Sequence, residues 1–142
     1  MRTFELVAAA LLIGLGASAA AAEVIDLRVG YWESVWTIPG QPTTRELFCL
    51  TPEELERMRF FARAPGDCLT TPGRQTRRRY EAVSVCEEDG ERMTVRWVLV
   101  APDPMRFEVR ATYEVEGATQ AASGSYRWLQ ESCSAASKLP NS

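Results

Sequence analysis

Polar and apolar residues alternate without a break from Met105 to Val115. Met105, Phe107, Val109, Ala111, Tyr113 and Val115 fall on one parity; Arg106, Glu108, Arg110, Thr112 and Glu114 fall on the other. Successive side chains of a strand point to opposite faces, so this run predicts a strand with one buried and one wet face. Shorter stretches of the same character occupy 43–49, 68–71, 77–86, 93–100 and about 121–131. Near the start, Leu27, Val29 and Tyr31 share one parity, and Trp32, Trp36 and Ile38 continue on the other. A switch beside Gly30 predicts a bulge or a sharp coil in that strand. Breaks at Pro39-Gly40, Pro72-Gly73, Glu87 to Glu91 and Pro102-Asp103-Pro104 separate the strands.

One segment carries helical signals. Thr51 is a fitting N-cap, Pro52 suits the first helical position, and Glu54 completes a capping box. Leu50 can staple against Leu55, and Leu55, Met58 and Ala62 fall on one face, which predicts a short helix over about 52–62. Strands joined by short turns make an antiparallel meander. With one helix to cover a face, the expected mainly β fold is a strongly curved sheet or small open barrel, the helix closing one end or edge. A two-sheet sandwich is the competing architecture.

The first segment stands apart from this pattern. Arg2 precedes an apolar stretch from Leu6 to Leu15, and the small residues Ala17 to Ala22 offer several A-x-A cleavage sites. Residues 1–22 are therefore expected to be a signal peptide, 23–133 a single β-rich domain and 134–142 a flexible tail. The apolar stretch is shorter than the ~20 residues a bilayer requires, so no integral membrane association is expected after cleavage. Removal of residues 1–22 leaves about 120 residues, enough for one core that buries roughly two-thirds of the unfolded surface.

Cys49, Cys68, Cys86 and Cys133 all lie in the mature part. An even count in an exported chain reads as two disulfides, whereas zinc would need close pairs such as C-x-x-C that are missing here. Cys68 and Cys86 flank a single break, so folding that hairpin sets them opposite each other. Cys49 is then left for Cys133.

Composition narrows the chemistry. The chain of 142 residues contains no histidine, which excludes Ser-His-Asp and Cys-His catalysis and histidine-bound zinc. A net charge of -3 provides no positive field to draw nucleic acid. No phosphate loop, dinucleotide fingerprint or calcium loop is present, so no cofactor is expected. Large aromatics are plentiful, and Trp32, Trp36, Trp97, Tyr113 and Trp128 are candidates to line an apolar pocket, although the same side chains serve a core equally well. Arg74, Arg77, Arg78 and Arg79 cluster at a hairpin and read as a solvated turn. Glu33, Glu53 and Glu54 are the candidate carboxylates, Glu53 and Glu54 having a role at the helix start already.

Gly30-Tyr31-Trp32-Glu33, then Cys49-Leu50-Thr51-Pro52-Glu53, then Asp67-Cys68, Val85-Cys86 and a terminal Cys133 together resemble an exported bacterial family, the domain of unknown function numbered 3617. Its members show a G-x-W-E opening, a C-x-T-P-E helix start and four cysteines in this order. Where the family usually carries G-D-C, this chain has Glu131-Ser132-Cys133. The resemblance covers roughly residues 28–133 and implies a periplasmic or secreted β-protein; it implies no activity.

These readings converge on an exported, disulfide-stapled, non-enzymatic binding module for a small apolar or amphipathic ligand or an envelope partner. A small histidine-free hydrolase or lyase using carboxylates, and a purely structural envelope-interaction protein, are the alternatives.

Overall fold

A computed structural model describes residues 23–57, 67–115 and 117–134. The expected signal peptide (1–22), the distal part of the expected helix (58–62, with Met58 and Ala62) and the tail beyond Ser134 lie outside the described residues.

Seven strands and one helix follow in the order β1 (Gly30–Thr37), β2 (Thr44–Leu50), α1 (Pro52–Arg57), β3 (Asp67–Gln75), β4 (Arg79–Glu88), β5 (Glu91–Asp103), β6 (Arg106–Val115) and β7 (Ala118–Gln130). They build one antiparallel sheet in the order β2-β1-β7-β6-β5-β4-β3. The run from β3 to β7 is the meander that short turns dictate. Asp89 and Gly90, both at positive φ, form the two-residue turn from β4 to β5, the conformation whose twist suits a hairpin. β1 then pairs with β7, so the first and last described strands are neighbours.

The mainly β fold with one short helix forms as expected, but the strongly curved sheet or small open barrel does not. The sheet is neither closed nor strongly curled. β2 and β3 remain at opposite edges, and substantial contact joins only hydrogen-bonded neighbours. The physical reason lies in how the apolar face is covered. The segment before β1 crosses the sheet, with Ile25 and Leu27 buried in the core, and Leu55 of α1 packs against that core. Two backbone bonds hold this strap: Asp26 N–H donates to the carbonyl of Arg77, and Arg28 N–H to that of Pro104, both at 2.9 Å. A face already covered need not roll onto itself.

Register decides what that face contains. Ala82, Trp97, Ala111 and Ala122 lie side by side across four strands, as do Tyr80, Leu99, Val109 and Gly124 in the next row. Phe107 stacks on Tyr126 at 4.1 Å between ring centroids, and Trp32 lies 5.2 Å from Phe107. Burying each such ring stabilises the fold by about 1.5–3 kcal/mol. The parity switch expected beside Gly30 appears as a register shift between Tyr31 and Trp32 against β7. Gly30 sits at φ +132°, and a Cβ there would run into the carbonyl oxygen of Gln130. Only glycine fits that approach without strain.

The cysteines are joined as Cys49–Cys133 and Cys68–Cys86. Cys68 and Cys86 are register partners on β3 and β4, 4.0 Å apart at Cα. Cys49 has the opposite parity to Phe48 and Leu50, so its bridge ties β2 to the end of the chain on the polar side of the sheet.

Candidate functional site

The five aromatics singled out from the sequence share one face of the sheet, and all five are core side chains or pack against the core. Trp32 and Trp128 are register partners, and their indole N–H groups donate to the backbone carbonyls of Arg28 and Val29 at 2.9 and 3.1 Å. Trp36 Nε1 donates to the Tyr126 hydroxyl at 2.8 Å. Further along the sheet, buried Trp97 donates to Ser84 Oγ at 2.9 Å, and the Tyr113 hydroxyl donates to Gln120 at 3.5 Å. Each polar handle has thus found a partner within the fold. The guanidinium of Arg28 lies 4.6 Å over the Trp128 ring, so even the more exposed end of the row is capped by a cation.

A concavity of the described residues lies elsewhere. A groove of about 260 Å³ is lined by Glu33 and Val35 of β1, Pro102 of β5, Arg106, Phe107 and Glu108 of β6, and Ser125, Tyr126 and Arg127 of β7. None of the five candidate aromatics lines it. Strand alternation explains its chemistry. Glu33, Val35, Arg106, Glu108, Ser125 and Arg127 occupy the parity opposite to the core residues, and pairing sets Glu33 beside Arg127, and Arg127 beside Arg106.

The charges of the groove are held in place by one another. Glu33 Oε1 accepts from Arg127 Nη2 at 3.0 Å, and its Oε2 lies 3.5 Å from Arg45 Nη1 on β2. The Glu33 side chain is only 13% exposed, whereas Arg127 is 65% exposed. Arg106 donates through Nε and Nη2 to Asp103 Oδ2 at 2.9 and 2.7 Å. That bond, together with the Met105 N–H donated to Oδ1, holds the Asp103 carboxyl below the usual carboxylate range. Arg106 is therefore gripped along one edge by a carboxylate and Arg127 is held through its Nη2, and both keep further N–H groups unspent. A guanidinium carries five donors in a fixed fork, so an arginine anchored this way presents its remaining edge in a defined direction.

Of the sequence candidates, Glu33 lies in this groove. Glu53 and Glu54 do not: Glu53 pairs with Arg57, and Glu54 closes the capping box, its N–H donating to Thr51 Oγ1 at 3.2 Å. The arginines of the β3–β4 turn are exposed, and Arg77 holds the strap through Asp26 Oδ2 at 3.3 Å. Arg106, Arg127 and Glu108 escaped notice as a site because alternation shows which face they share but not which strands are neighbours. No cluster of metal-binding side chains occurs among the described residues, and no described helix is long and apolar enough to cross a membrane.

A family model described as "Protein of unknown function (DUF3617)" matches residues 27–133. No curated protein and no solved structure matches the chain.

Proposed function

The chain belongs to the DUF3617 family, and because that family is described as one of unknown function we propose its role from the site itself: an exported, periplasmic binding module without catalytic activity that takes a small amphipathic ligand in the groove over β1, β7 and β6. The observation that carries this reading is the make-up of the groove. Val35 and Pro102 are apolar residues beside the charges of Glu33, Arg106, Glu108 and Arg127, on the face that the core does not use. Ligand sites combine apolar lining with a few fixed polar groups in this way. At about 260 Å³ the groove falls just below the usual ~300–1,000 Å³ range and suits a small molecule or the head of a larger one.

Export is supported by the leader-like residues 1–22 and by two disulfides, which persist in oxidising compartments. A hydrolytic role for Glu33 is less well supported. Both of its carboxylate oxygens are engaged by arginine, whereas a general acid or base must be free to meet the reacting proton.

Native mass spectrometry of protein taken from its own periplasm tests the proposal. A small co-purifying molecule, lost when Val35→Trp fills the groove, is the expected result. A protein partner retained by the Val35→Trp variant would instead favour an envelope-interaction role away from this site.

A further inference from the structure

Arg106 and Arg127 stand directly opposite each other on β6 and β7. Like charges at facing positions of an antiparallel pair destabilise a sheet. Both are well exposed, at 66% and 65% of the side chain, and both line the groove. Their carboxylate partners lie apart: Asp103 in the β5–β6 turn holds Arg106, and Glu33 on β1 holds Arg127. Glu33 is shared with Arg45, so it offsets only part of the charge of Arg127. The remaining carboxylate of the lining, Glu108, lies one pleat along β6, opposite Ser125. The row therefore reads Asp103, Arg106, Arg127, Glu33, two guanidinium groups side by side between two carboxylates, and the next row carries Glu108, Ser125 and Val35.

We propose that the ligand of the groove is a small free amphiphile with an anionic head, a carboxylate or phosphate, gripped between Arg106 and Arg127 while its apolar part lies along Val35 and Pro102. An anion between the two guanidinium groups relieves their mutual repulsion and accepts hydrogen bonds from both. Asp103 and Glu33 act as positioning residues that aim the two forks, and Glu108 repels the head from the next row, fixing its orientation. The inference rests on the groove being the binding site and adds the charge of what it holds.

Calorimetric titration of the oxidised protein with octanoate, and separately with octyltrimethylammonium, tests it. Octanoate is expected to bind and the cation not to. Arg106→Gln and Arg127→Gln should each weaken octanoate at least about tenfold, the loss of a charge-assisted hydrogen bond. Arg110→Gln, the same charge change two pleats along β6 from Arg106 and outside the groove, should leave affinity unchanged, and thermal melts confirm that all three variants fold. Equal binding of both amphiphiles, abolished by Val35→Trp but insensitive to either arginine, overturns the anionic head and leaves the groove standing. Octanoate binding that survives Val35→Trp, or no binding of either probe, overturns the groove itself. Phosphatidylglycerol vesicles form the last arm: retention on vesicles without octanoate binding shows a lipid surface to be the target and overturns the free amphiphile.

Discussion

Ser84, like Ser34, is a buried polar side chain on a face built mostly of rings and aliphatic groups. Its hydroxyl oxygen accepts the Trp97 indole N–H and lies 2.7 Å from Thr70 Oγ1, so one oxygen serves strands β3 and β5 from between them. Ser84→Ala deletes that oxygen and is expected to destabilise the protein by about 1–3 kcal/mol, the penalty for stripping a partner from buried polar groups; urea denaturation measures it. Asp103 makes a prediction of the opposite kind, at a partly exposed position. Its folded-state pKa is lowered below the ordinary 3.8, chiefly by the hydrogen bond from Arg106. Its stabilising contribution is therefore complete above 3.8 and is lost as pH falls through the lowered value. An NMR titration of the Asp103 carboxyl should show a midpoint below that of a free aspartate, and Arg106→Gln should move it back up. Neither role was legible from composition. Ser84 is one of many serines until register places it beside Trp97, and Asp103 reads as a turn residue until its neighbour's side chain is seen to fold back onto it.

At the level of elements, signals that act over a few residues were readable and those that act across strands were not. The capping box is complete, with the Thr51 N–H donating to Glu54 Oε2 at 3.1 Å in return for the bond from Glu54 N–H. Leu50, just before it, is buried. Thr51→Ala should cost about 0.5–2 kcal/mol, as loss of an N-cap does elsewhere. The comparison that checks it is a thermal melt against Thr51→Ser, which keeps the capping oxygen and should stay close to the parent. The alternation in β6 likewise identified its buried face, Phe107, Val109 and Ala111, without help from any other strand. β7 shows the limit. Its Ala121, Ala122, Ser123, Gly124 and Ser125 carry little hydropathic contrast, yet Gly124 must be small because a Cβ there would stand 2.6 Å from the Trp36 ring. That requirement belongs to β1, far away in the chain, and no local pattern records it.

For the molecule as a whole, the sequence announced a meander but not how its apolar face would be covered. Curling was the expected solution because only one helix was in view. The solution found uses the strap bearing Ile25 and Leu27, whose short apolar–polar alternation reads as the start of β1 rather than as a cover. The two bridges divide the remaining labour by loop length. On the chain-entropy model the Cys68–Cys86 loop, 18 residues in separation, contributes roughly 3 kcal/mol, and the Cys49–Cys133 loop, 84 in separation, roughly 4–5. Cys49→Ser with Cys133→Ser should therefore lower the urea midpoint more than Cys68→Ser with Cys86→Ser, and equal shifts would show that strain in the folded state outweighs loop entropy.

The order of strands has a consequence for how the chain can be cut and rejoined. Read from one edge to the other, the sheet runs β3, β4, β5, β6, β7, β1, β2: every neighbour is consecutive once the chain is imagined to begin at β3. The first and last described strands, β1 and β7, meet within this series, and the connection from β2 to β3 links the two outer edges. A β1–β2 hairpin is made before β7, the last described strand, and must wait for it before it can join the sheet, and pairings so distant in sequence slow folding. A circular permutant that joins residue 133 to residue 23 through a flexible linker long enough to reach from the β2 edge to the β3–β4 turn, and opens between α1 and β3, would turn the same sheet into an uninterrupted meander. Such a chain would assemble strand by strand in the order of synthesis, so its folding would outpace the parent's although every side chain occupied the same place.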